Sequence, residues 1–122
     1  MLNKLQNHYL RQTFAHILHE EALQTFERKL LELAPHFSEI DGTGKLLLGT
    51  LAVIIQNLHD EESVKKTAQI FISRYKLQTE DLQNIQLAFC WTLDQTLENE
   101  LSLHIKTAWQ AFFEMLLAQI PP

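Results

Sequence analysis

Apolar residues recur at spacings of three and four along nearly the whole chain, and no stretch alternates with period two for long enough to predict a strand. The first predicted helix covers about residues 5–18, with Leu10, Phe14, Ile17 and Leu18 on one face. The second covers about residues 20–33, with Leu23, Phe26, Leu30 and Leu33 in register. They abut at His19, which predicts a bend in place of a loop. Pro35 lacks an N–H that a first helical turn would leave unpaired anyway, so it suits the start of a new turn over residues 36–40.

Asp41-Gly42-Thr43-Gly44 is the clearest breaker, with Asp41 or Thr43 as the expected cap of the next helix. That helix runs to about residue 58 through Leu47, Leu51, Ile54, Ile55 and Leu58. Gly44, Gly49 and Ala52 give it small spots where another helix can approach. A helix over about residues 63–74 turns Val64, Thr67, Ala68 and Phe71 inward. The next runs over residues 79–97, with Thr79 as cap and Glu80 and Asp81 where the helix dipole favours acids. Leu82, Ile85, Phe89, Leu93 and Leu97 form its apolar side. Residues 98–100 are read as a break, and a last helix over about 101–119 carries Leu103, Ala108, Trp109, Phe112, Met115 and Leu116. The expectation is one all-α domain, residues 1–122, of six to seven helices with the last two as scaffold.

Composition agrees. The chain has 122 residues, 46% hydrophobic and 20% charged, with only three Gly and three Pro, too few for a turn-rich sandwich or barrel. The formal net charge is −5, and Lys65-Lys66 is the densest cationic pair, so a phosphate-binding surface and nucleic acid are not expected. One cysteine, Cys90, cannot form an internal disulfide, which suits a reducing compartment. The first ten residues are polar, with no signal-peptide core, and no apolar run nears a membrane span. The expected location is the cytoplasm.

Four segments together resemble the bacterial globins, particularly the globin domain of flavohaemoglobins and its single-domain relatives. Residues 26–35, Phe-Glu-Arg-Lys-Leu-Leu-Glu-Leu-Ala-Pro, are similar to the family's second helix running into its proline-started third. Residues 44–51, Gly-Lys-Leu-Leu-Leu-Gly-Thr-Leu, resemble the start of the distal helix, whose early glycine is where it crosses the second helix closely. Thr79-Glu80-Asp81-Leu82 with residues 87–93 is similar to the penultimate helix, and Ala108-Trp109-Gln110-Ala111-Phe112 to the last. The segments follow the family's order across nearly the whole chain.

The resemblance implies a globin-like fold, yet the residues at the cofactor-facing places depart from the family. Counting back from Glu80, the proximal histidine's place falls on Ile72. The tyrosine of the second helix falls on Glu27, and the distal glutamine on Thr43. The joint before the distal helix is several residues short. The phenylalanine that wedges the porphyrin there falls on Asp41 by counting, with Phe37 or Ile40 nearest in character. Haem iron needs an axial donor, so no haem and no other cofactor is expected. The vacated pocket would be lined by Glu27, Thr43, Leu47, Leu51, Phe71, Ile72 and Phe89. The expected function is that of a haem-free regulatory or interaction module, perceiving a small apolar, fatty-acid-like ligand if the pocket is open, or docking other proteins if it has closed. The alternative is a haem globin binding oxygen or nitric oxide through His36 or Tyr75.

Other chemistry is sparse. His16, His19 and Glu20 share a helical face at metal-ligand spacing, but no further ligand is identifiable, so no metal is expected. His59 reads as a helix-end residue and Cys90 as a structural thiol. No nucleophile triad, phosphate loop or nucleotide fingerprint is present, so no enzyme activity is expected. Glu27, a carboxylate near the old pocket, should pair with a base such as Lys45, turn to solvent, or contact a ligand. The last helix is apolar nearly all round, which suggests a partner face, and the resemblance to globin-type sensors implies a homodimer through the last two helices using Leu103, Phe112, Phe113, Leu116 and Leu117.

Overall fold

A computed structural model describes residues 2–97 and 102–121. The expected break at 98–100 and the start of the last helix at residue 101 lie outside the described residues. Among those described there are six α-helices and a short 3₁₀ helix: α1 (Lys4–Ala15), α2 (Glu20–Leu33), the 3₁₀ helix (Pro35–Glu39), α3 (Thr43–Gln56), α4 (Glu61–Tyr75), α5 (Thr79–Leu97) and α6 (Leu103–Leu117). No strand occurs among them, and the molecule is all-α.

Each helix start has a local cause. Asn3 and Gln6 form a reciprocal capping box on α1, side chain to backbone at 2.8 and 3.0 Å. His19 caps α2, its Nδ1 accepting the Ala22 N–H at 3.3 Å, so this ring is occupied by the backbone. Asp60 accepts the Ser63 N–H on α4, and Ser102 the Ile105 N–H on α6. Thr79 is not the cap of α5. It is the helix's first residue, and the carboxylate of Asp81 closes the turn by accepting the Gln78 N–H at 2.8 Å. Helix α4 ends on Lys76 in the left-handed conformation (φ 52°), with the Leu77 N–H donating to the Ile72 carbonyl at 2.9 Å.

The joint between α1 and α2 is a turn at His16–Ile17 in which Ile17 plugs the core. Leu18, expected on the inward face, is 51% exposed, because α1 ends at Ala15 and the chain leaves the helical register before it.

Helix α2 packs on α5 and α3, α1 on α6 and α3, and α5 on α6. At their centre stands Phe89 of α5, with ring centroids of Trp109 at 4.3 Å, Phe113 at 5.6 Å, Phe14 at 6.0 Å and Phe26 at 6.5 Å. Trp109 keeps its indole N–H satisfied in this apolar setting by donating to Thr13 Oγ1 at 2.9 Å, and the Thr13 hydroxyl in turn donates to the Tyr9 carbonyl at 2.7 Å. That chain of bonds ties α6 to α1.

The apolar excess of the last helix is largely consumed here. Phe112, Phe113 and Leu116 lie inside the chain's own core, because α6 is covered by both α1 and α5. Those three cannot form the expected dimer face. Leu117 is partly buried, and Leu103 is 76% exposed. Among the described residues no helix is long and apolar enough to cross a membrane.

Candidate functional site

A close crossing of α2 and α3 is built on Gly44. It stands in the first turn of α3, and a Cβ added there would lie 2.7 Å from Glu27 Cβ on α2, so only glycine lets these helices meet. Glu27 Oε2 accepts the Gly44 N–H at 2.8 Å. Neither Asp41 nor Thr43 caps α3. The N-cap is Gly42 (φ 67°), without a side-chain acceptor of its own, and Glu27 reaches across from the neighbouring helix. A carboxylate at a helix N-terminus also meets the positive end of the dipole. This explains how Glu27 stays half-buried without the expected Lys45 partner: the Gly44 N–H at the start of α3 donates to its carboxylate instead.

The other residues expected to line a pocket are distributed as follows. Leu47, Leu51 and Phe89 belong to the continuous core, each 1% exposed or less. Ile72 is also in the core, at 6% exposure. Thr43 is buried, and its Oγ1 has no hydrogen-bond partner among the described residues. Phe71 alone of the seven also faces an open groove, the one between α3 and α4.

His36 and Tyr75, the alternative axial donors, stand apart. His36 Nε2 lies 2.8 Å from Asp81 Oδ1, and its ring stacks on Phe37 at 4.7 Å, so it fastens the 3₁₀ helix to the start of α5. Phe37 itself is buried, and Ile40 is half-buried. Tyr75 packs edge-on against Phe71 at 5.6 Å and lines the groove.

That groove has a volume of about 680 Å³ and lies open to solvent. Its walls are Leu46, Gly49, Thr50 and Val53 on α3 and Thr67, Ile70, Phe71 and Arg74 on α4. Lys45 and Arg74 contribute cations, and Asp41 is the one acid among the lining residues. Sequence reasoning assigned only the inward faces of these two helices. Leu46 (43% exposed), Val53 (47%) and Ile70 (54%) were passed over, although they are the apolar residues left out of the inward register. A second cleft, about 420 Å³, flanks the other side of α4, where Leu58 and Val64 face Leu2 and Met115.

Cys90 sits on α5 beside Asp94, Trp109 and Lys106. Burial, and after it the charge of Asp94, pushes its thiol up from 9.0 to about 11, with Lys106 pulling the other way. The thiol is therefore protonated and poorly nucleophilic at neutral pH.

No protein-family model matches the chain, and no curated protein matches it in sequence.

Proposed function

We propose that this chain is a haem-free globin-like module with a regulatory or interaction role and no catalytic activity, working in the cytoplasm. The observation that carries the proposal is Ile72. It stands where the resemblance requires an iron-binding imidazole, and its side chain is packed into the core of the protein. The close crossing of α2 and α3 at Gly44 supports the globin-like reading.

Haem does not fit the residues present. Iron needs His, Cys, Met or Tyr as an axial donor. The groove between α3 and α4 is lined by no His, Cys or Met, and His36 is engaged with Asp81. Tyr75 is the one oxygen donor of that type there, and it packs on Phe71.

Of the two roles open to such a module, docking is favoured over perceiving a small apolar ligand. Leu47, Leu51, Ile72 and Phe89 lie in one continuous buried core, while the open space lies on the outer side of α3 and α4. A homodimer through α5 and α6 would draw on the exposed Leu87, Trp91 and Leu103, since Phe112, Phe113 and Leu116 are interior.

The test is haem titration of the purified chain, followed by absorbance. The expected result is no Soret band surviving desalting. A retained band near one haem per chain, abolished by Tyr75→Phe or His36→Ala, would establish the haem alternative instead.

A further inference from the structure

We propose that the groove between α3 and α4 is the docking site for an amphipathic helix of a protein partner, one whose apolar stripe is flanked by acidic side chains. The proposal rests on the reading of the chain as an interaction module, and is indifferent to whether the fold descends from globins. Three independent observations carry it.

The first is shape. A groove of about 680 Å³ that is open to solvent would leave a small molecule half wet, whereas small-ligand sites typically enclose most of their occupant. A helix laid lengthwise covers such a groove with one face.

The second is the pattern of the walls. On α3, Leu46, Gly49 or Thr50, and Val53 recur at the i, i+3, i+4, i+7 spacing by which helices are received in grooves, and Ile70 faces them from α4. Gly49 lies inside α3, where glycine weakens a helix, yet a Cβ there would meet nothing within 4 Å. Nothing among the described residues needs its smallness. A second backbone approaching at close range does.

The third is charge. The groove is lined by two cations, Lys45 and Arg74, against one acid, Asp41, in a chain of net charge −5. Lys65 is tied to Glu61 at 3.5 Å, but Lys45 and Arg74, the cations of the groove, are paired with no acid among the described residues. In an otherwise acidic protein, this pair attracts an acidic partner and repels a basic one.

The probe is a labelled synthetic peptide of about five helical turns, carrying a leucine stripe flanked by glutamates, with a twin in which each glutamate is lysine. Binding to the full chain is read by fluorescence anisotropy. The glutamate peptide is expected to bind at least about tenfold more tightly than its twin. Gly49→Leu, whose Cβ meets none of the chain's own atoms within 4 Å, should weaken that binding at least about tenfold while circular dichroism shows no loss of helix and the thermal midpoint does not fall. The double variant Lys45→Glu, Arg74→Glu should reverse the preference in favour of the lysine peptide.

Equal binding of the two peptides, absence of binding, or binding undisturbed by Gly49→Leu would overturn the proposal. So would saturable binding of dodecanoate, lost in Gly49→Leu, by a chain that ignores the peptide. Self-association of the chain abolished by Gly49→Leu would make a second copy the occupant, again against the proposal. The haem titration reads a different property, so either proposal can fail while the other stands.

Discussion

The ring cluster around Phe89 and the edge formed by α3 and α4 are built on opposite principles. In the first, four aromatic rings surround a fifth, and the one polar atom, Trp109 Nε1, has its acceptor in Thr13. In the second, Ile70, Val53 and Leu46 stand about half in water with nothing over them. Helix α4 has α3 as its main neighbour, while α2 and α5 are each packed from more than one side. Stability is therefore concentrated away from α4 and from the outward face of α3. The edge can carry exposed apolar residues because the fold does not depend on covering them.

Substitutions measure this contrast. The largest effect is expected at the cluster: Phe89→Ala should cost about 3–5 kcal/mol in chemical denaturation, since it opens a cavity among rings that cannot close on it. Ile70→Ala should cost less than about 1 kcal/mol. Similar losses at both positions would mean that the edge is as integral as the centre.

The two helical glycines of α3 sharpen the comparison within one element. Gly44→Ala forces a Cβ onto Glu27 Cβ and should destabilise by about 1–3 kcal/mol. Gly49→Ala meets open space and should stabilise by about 0.5–1 kcal/mol through helix propensity and the unfolded chain. Thermal or denaturant midpoints decide it. A loss at Gly49 would reveal a close neighbour there.

The last effect is a pH dependence on the cluster side, absent at neutral pH and emerging only in alkali. Cys90 keeps its proton to about pH 11 in the folded chain, against an ordinary value of 9.0. Between these values the folded state holds more protons than the unfolded one, so unfolding free energy falls as pH rises. The contribution is complete below about pH 9 and disappears as pH passes about 11. Denaturation of the native chain and Cys90→Ala across that range should show a shallower alkaline decline in the variant. Equal slopes would place Cys90 in a wetter environment.

What could be read from the chain divides along the same line. Helix α2 runs from Glu20 to Leu33 as its periodicity predicts, because its cap, its acidic first turn and its inward face are all local signals. The cap of α3 was not legible. Gly42 offers no side chain, and the acceptor, Glu27, stands seventeen residues earlier on another helix. Its role follows only once α2 and α3 are crossed in space.

The last helix misled for a related reason. Phe112 and Phe113 point about 100° apart around a helix and read as surplus if only a narrow face is covered, but α6 has both α1 and α5 against it. Conversely, Leu46, Val53 and Ile70 fall outside the inward register, but the pattern alone does not tell whether a neighbouring helix covers them. Composition records that a helix is apolar on two faces. It does not record which neighbours arrive. The proposed reading of Ile72 asks less of the fold, since a hydrocarbon side chain cannot ligate iron wherever its neighbours stand.

Lys45 and Arg74, standing together on one edge of a chain of net charge −5, give that edge a local field opposed to that of the whole molecule. A body of this kind turns in the field of an approaching anion before any atoms touch, so its encounters are oriented by long-range torque. The kinetic signature is that added salt slows arrival far more than it hastens departure, whatever later proves to sit on that edge.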